Sequence, residues 1–203
     1  MKEISISGQK RTDLGKKASK SLRKEGMIPC NIYGEAKGEN GAPVAMAFAA
    51  SFSELRKLIY TPNIYVVNLN IDGENKKAVL REIQFHPTTD APLHVDFLEV
   101  NEQKPIVMGV PVKLVGLAQG VRDGGRMNLS IRKINVTAPY KQIPERLDID
   151  VTPLRIGKSI KVGELSYEGL ELATSKEVVV CSIKMTRAAS KNAAEETEEA
   201  AAE

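Results

Sequence analysis

Ile64-Tyr65-Val66-Val67-Asn68-Leu69-Asn70-Ile71-Asp72-Gly73, followed by Ala78-Val79-Leu80-Arg81-Glu82-Ile83-Gln84-Phe85, reads as a β-hairpin. Apolar and polar residues alternate along 64–71, the period of a strand with one buried face, and 78–85 returns as its partner. Asp72-Gly73 offers the residue types that a tight two-residue turn requires. A third run, 93–100, puts Leu93, Val95 and Phe97 on one face and His94, Asp96 and Leu98 on the other. Toward the N-terminus, strands are predicted over 3–8, 27–33 and 44–49, with Pro29 marking an edge or a bulge. Two short helices interrupt them. The first runs over 16–25 and is ended by Gly26. The second starts at Ser51, where Glu54 would complete a capping box and Phe52, Leu55, Leu58 and Ile59 share a face. Residues 34–43 read as a Gly-rich loop.

Past Asn101 the texture changes. The segments 105–116, 126–138, 146–152, 158–165 and 178–185 are short, rich in Val and Ile, and separated by Gly and Pro turns. With no helix evident, this half reads as an all-β domain. The predicted organisation is residues 1–100, residues 101–187, and a disordered acidic tail over 188–203. The whole is mainly β with a few short helices.

Charge is distributed unevenly. Met1 to Lys24 carries eight basic residues against Glu3 and Asp13, whereas 25–187 is nearly balanced and the tail sets Lys191 against five glutamates. A polyanion-binding end and a solvating acidic end follow from such a split. Cys30 and Cys181 are far apart and near no cluster of metal-ligating residues, which points to a reduced, cytoplasmic protein without a metal site. No apolar run approaches the ~20 residues that a membrane span needs. Catalysis finds little support. His86 and His94 are the only histidines, and although His94 and Asp96 share a strand face, no activated nucleophile, phosphate-binding loop or dinucleotide fingerprint accompanies them. The chain is therefore read as a non-enzyme, with no cofactor and no small-molecule substrate.

The most informative segment is Lys16-Lys17-Ala18-Ser19-Lys20-Ser21-Leu22-Arg23-Lys24. At about 100° per residue, Lys16, Lys17, Lys20, Arg23 and Lys24 fall within an arc of roughly 120°, with Ala18 and Leu22 opposite. Surface helices ordinarily place Glu at i±4 from their lysines, yet no acid lies between Lys16 and Lys24. Like charges at these spacings repel, and a row of unpaired cations is what phosphate neutralisation requires. Nucleic acid is favoured over a merely solvated face and over an acidic partner or a membrane.

The pattern Arg11-x-x-x-Gly15-Lys16-x-Ala18-Ser19-x-x-Leu22-Arg23-x-x-Gly26-x-Ile28-Pro29-x-x-x-Tyr33-Gly34 resembles the opening of the CTC (general stress protein) family, bacterial large-subunit ribosomal proteins that bind 5S rRNA. Gln84-Phe85-His86-Pro87 with His94-Val95-Asp96-Phe97 resembles its second signature. Val110-Pro111-Val112, Gly116, Gly120, Gly124-Gly125 and Ile143-Pro144 resemble the turn pattern of its longer, two-domain form. The resemblance implies a small N-terminal β-barrel whose basic helix and adjoining strand face sit against 5S rRNA in the large subunit. It implies RNA contacts at Arg11, Lys16, Lys20, Arg23, Tyr33, Gln84, His94 and Asp96, to which the charge arc adds Lys17 and Lys24. Ser21 and Phe85 depart from the pattern where some members carry basic residues. Arg81 aligns with a polar contact in some members, but strict alternation would place it on the face opposite Gln84. A rival reading makes the C-terminal domain a stress or regulatory module that binds protein.

Overall fold

The computed structural model describes residues 1–34, 44–102 and 104–186. The expected tail over 188–203 and all but Gly34 of the expected loop lie outside them. Two compact units are present: Met1–Ile106 with Pro139–Glu145, and Val107–Ala138 with the chain from Arg146.

In the first unit six strands close into a barrel in the order β1-β3-β2-β6-β5-β4. They are β1 (Lys2–Lys10), β2 (Met27–Tyr33), β3 (Met46–Ser51), β4 (Tyr65–Ile71), β5 (Glu74–Phe85) and β6 (Pro92–Glu99). Helix α1 (Lys16–Lys24) joins β1 to β2, and α2 (Phe52–Ile59) joins β3 to β4. The barrel closes through a parallel pairing of β1 with β4, from Lys2↔Tyr65 to Gly8↔Ile71, while β1 also pairs antiparallel with β3. Closure leaves no exposed sheet edge. Asp72 and Gly73 both have positive φ, as the turn between β4 and β5 requires. Gly26, at φ 78°, ends α1 and turns the chain into β2.

The interior is packed by alternate residues of the strands. Ile6, Ile28, Cys30, Ile32, Phe48, Val67, Leu69, Val95 and Phe97 form one buried cluster with Leu55 and Leu58 of α2. The rings of Phe48 and Phe97 meet at 5.8 Å between centroids. Two expectations for α2 are corrected. Phe52 is 37% exposed instead of joining Leu55 and Leu58 inside. The capping box does not form: Ser51 Oγ contacts Ser53 Oγ at 2.8 Å, and Glu54 Oε2 accepts the Ser7 backbone N–H at 2.8 Å. The β1–β3 ladder begins at Gly8↔Ala50, so the Ser7 amide lies just beyond it and takes a side-chain partner instead.

The second unit is all-β. One sheet runs β10-β7-β9-β12, with β7 (Pro105–Val115), β9 (Lys133–Pro139), β10 (Leu147–Asp150) and β12 (Glu171–Leu172). The other runs β11-β13-β8, with β8 (Arg126–Leu129), β11 (Ser159–Lys161) and β13 (Val179–Lys184). Its helical content among the described residues is a single turn, α3 (Gln119–Arg122), and a 3-10 turn at Val162–Glu164. Both are too short to leave a helical period in the sequence.

Candidate RNA interface

Helix α1 has no buried residue. Ala18 and Leu22 are half-buried, whereas Lys16, Lys17, Lys20, Arg23 and Lys24 are exposed. The arc read from the sequence therefore exists in space, and the four lysines make no ion pair among the described residues. The nearest acid, Glu25, accepts the Ser21 hydroxyl at 3.2 Å. No acid occupies the first turn, and Arg23 and Lys24 stand in the last, where the helix dipole favours cations.

Arg23 does more than carry charge. Its Nε donates to the Leu93 carbonyl at 2.9 Å, fastening the helix to the start of β6. Arg11 is also partly structural: its guanidinium donates to the Asp13 carbonyl and to Ser19 Oγ, both at 3.2 Å, and so holds the 11–15 turn against α1. Among the described residues its buried Nε has no hydrogen-bond partner. Neither anchoring role was visible in the sequence, because both rest on contacts that only the folded chain creates.

From Leu93 the surface continues onto the outer face of β2-β6-β5. Val95 and Phe97 point inward, so His94 and Asp96 point out. Gln84 stands directly across from His94, and Asn31 across from Asp96. His94 Nδ1 lies 3.2 Å from Asp96 Oδ1, with both side chains about one-fifth exposed (21% and 22%). The carboxylate orients the imidazole and leaves Nε2 for a partner outside the protein. Tyr33 lies on the same face, opposite Leu98, five residues or roughly 17 Å along β6 from Leu93. The structure thus brings Gln84, His94 and Asp96 together beside the basic helix and puts Tyr33 at the far end. Asn31 was missed, although its alternation with Tyr33 marks it as outward-facing.

Arg81 changes sides. Leu80 and Ile83 both pack against the barrel core although they are three residues apart, and the β5–β6 register shifts between Leu80 and Glu82. That bulge inserts one residue, so parity reverses and Arg81 is exposed next to outward Glu82. Glu82 pairs with Asp96 across the strands. Two acids side by side repel phosphate, so this part of the face suits base amino groups and ribose hydroxyls.

A cleft of about 450 Å³ adjoins the arc, lined by Arg23, Met27, Phe52, Tyr60, His86 and Leu93 among others. It offers no catalytic constellation. His86 Nδ1 is taken up by the Thr88 amide and hydroxyl. Burial pushes the Cys30 thiol up to about 12, so it is no nucleophile at neutral pH.

The comparisons with known proteins cover the same ground. The model of the Ribosomal L25p family matches residues 6–97, and that of the Ribosomal protein TL5, C-terminal domain, matches 105–187. The chain is 60% identical over 189 residues to the large ribosomal subunit protein bL25 of Phocaeicola vulgatus, covering 93% of this chain and 96% of that protein. It is 50% identical over 190 residues to bL25 of Porphyromonas gingivalis, with 93% and 96% covered. With bL25 of Bacteroides thetaiotaomicron it shares 50% identity over 194 residues, with 93% and 95% covered. A barrel with a cationic helix and a polar outer face, matched along nearly its whole length to proteins of this kind, belongs to the ribosomal L25p family and carries the TL5-type C-terminal domain as well.

Proposed function

We propose that the chain, a structural constituent of the large ribosomal subunit like its relatives and not an enzyme, binds 5S rRNA through α1 and the adjoining outer face of β2-β6-β5. The observation that carries this reading is the continuity of the two surfaces: a row of lysines without ion pairs among the described residues is fastened, through Arg23 and the Leu93 carbonyl, to the strand bearing His94 and Asp96. The lysines supply sequence-independent phosphate attraction, while Gln84, His94 and Asp96 supply hydrogen bonds that can discriminate. Assembly into the subunit places the chain in the cytoplasm with the ribosomes.

The two roles separate experimentally. Asp96→Ala is expected to weaken discrimination between 5S rRNA and an unrelated RNA more than it weakens total binding. Removing an acid cannot reduce phosphate attraction, so any loss comes from lost hydrogen bonds or from a released His94. Equal losses on both RNAs in a filter-binding titration would contradict the role given to Asp96.

The barrel is also proposed to act as a module. Its ring of strands is complete at Glu99, and Val100 N adds a last bond to the Lys77 carbonyl. The Lys141–Glu102 contact at 2.8 Å lies outside the ring and is solvent-screened. Residues 1–100 alone are therefore expected to fold and to bind 5S rRNA nearly as well as the full chain. An unfolded fragment, or one weaker by more than ~100-fold (about 2.7 kcal/mol), would show that chain beyond residue 100 is required, whether Pro139–Glu145 of the same unit or the second unit.

A further inference from the structure

The outer face of the β11-β13-β8 sheet is built on an acid-free pattern. Cys181 and Ile183 of β13 are buried, so Ser182 and Lys184 point the other way. Lys184 pairs in register with Arg126 of β8, and Ser182 pairs with both Asn128 of β8 and Ser159 of β11. The face therefore presents one row of two cations and, two residues along, a row of an amide and two hydroxyls. Beside Lys184, Gly157 donates its N–H to the Ile183 carbonyl and contributes no side chain to the cationic row.

More positive charge surrounds this lattice. Arg122 of α3 and the loop residues Arg155 and Lys158 are exposed. Across the segments 119–130, 153–161 and 179–186, Asp123 is the one acid, set against six cations. Among the described residues, Arg122, Arg126, Arg155, Lys158 and Lys184 form no side-chain hydrogen bond or ion pair. Like charges placed directly across two strands destabilise a sheet, and Arg126↔Lys184 is such a pair, with no ion pair to either side chain among the described residues. A polyanion laid over the face removes that repulsion. The hydroxyls and the amide alongside suit phosphate and ribose oxygens.

We propose that this face is a second RNA-binding surface, holding the sugar-phosphate backbone of large-subunit rRNA other than 5S. The proposal rests on the reading above, which assigns 5S rRNA to the barrel and leaves this sheet to another RNA of the same subunit. The face carries no aromatic side chain on which bases could stack, so it grips the backbone and does not read sequence.

The test uses the full chain with two probes, 5S rRNA and protein-free large-subunit rRNA depleted of 5S. Arg126→Gln combined with Lys184→Gln is expected to leave 5S binding within about twofold, to lower affinity for the depleted rRNA about tenfold or more, and to flatten its salt dependence by roughly 1.5 log units per log unit of salt. The charge-preserving exchange Arg126→Lys with Lys184→Arg should keep both affinity and slope. Thermal melting of the neutralised variant at or above the wild-type temperature would show that repulsion, not structure, was removed. Unchanged binding to the depleted rRNA overturns the proposal. So does an equal loss on 5S rRNA, or weaker co-sedimentation with intact large subunits while bare-RNA binding is unaffected, which would make the face a protein-docking surface. Failure of the 5S reading is seen elsewhere, as 5S binding that is indifferent to Lys16, Lys20 and Lys24.

Discussion

Replacing Lys16, Lys20 and Lys24 together with Gln is expected to lower affinity for 5S rRNA by roughly 100-fold or more near 0.1 M salt, and to flatten the plot of log affinity against log salt by about 2 to 3. Each lysine is exposed and free of ion pairs among the described residues, so each is available to displace a counterion from a phosphate. Gln has nearly the helix propensity of Lys, and relieving the i,i+4 repulsion offsets what little is lost. The fold is thus preserved, and the change in slope reports phosphate contacts. Arg23 is kept out of this test because its Nε also bonds the Leu93 carbonyl, so its removal would mix lost charge with a loosened helix. Lys77→Gln serves as the control: it is exposed, pairs with Asn68 at the other end of β5 from Gln84, and should leave the slope unchanged. A triple variant with the wild-type slope would reduce the arc to a solvated face.

Phe97→Ala is expected to cost roughly 3–5 kcal/mol of stability in chemical denaturation. Phe97 is fully buried and packs against Phe48 across the barrel. The cavity would open where β2, β5 and β6 meet, and neighbouring backbone can collapse little in a closed ring of strands. That is a large share of the 5–15 kcal/mol that holds a typical domain together. RNA binding should fall with the folded fraction, and the molecules that remain folded should keep the wild-type salt slope. Because Phe97 neighbours Asp96, discrimination between RNAs should also weaken in that population. A cost below about 1 kcal/mol would mean that the barrel interior repacks freely.

Local features were legible in the sequence because local physics decides them. The strand at Met27–Tyr33, the helix from Lys16, the Asp72-Gly73 turn and the outward placement of His94 and Asp96 follow from residue propensity and alternation. Features that depend on distant chain were not. The parallel β1–β4 pairing that closes the barrel joins segments some sixty residues apart and leaves no local mark; the barrel was expected only through the resemblance. Glu54 looked like a capping residue until β1 brought an unpaired amide within its reach. Arg81 defeated alternation because one bulge reverses parity, and Arg11 and Arg23 drew their anchoring partners from tertiary contacts. Charge patterning revealed the basic helix because its cations are adjacent in sequence. The cationic face of the second unit escaped because Arg126 and Lys184 come together only through strand register.

The central claim is that this chain recognises 5S rRNA, and not merely any polyanion, through α1 and the face carrying His94 and Asp96. The most direct measurement titrates the purified full chain against 5S rRNA and against an unrelated structured RNA of equal length, over a range of salt. Non-specific attraction fades as salt rises, whereas hydrogen bonds to base edges and ribose hydroxyls persist. The ratio of the two affinities is therefore predicted to favour 5S rRNA throughout and to widen with salt. Equal affinities for the two RNAs that fall together along one salt slope would contradict the account.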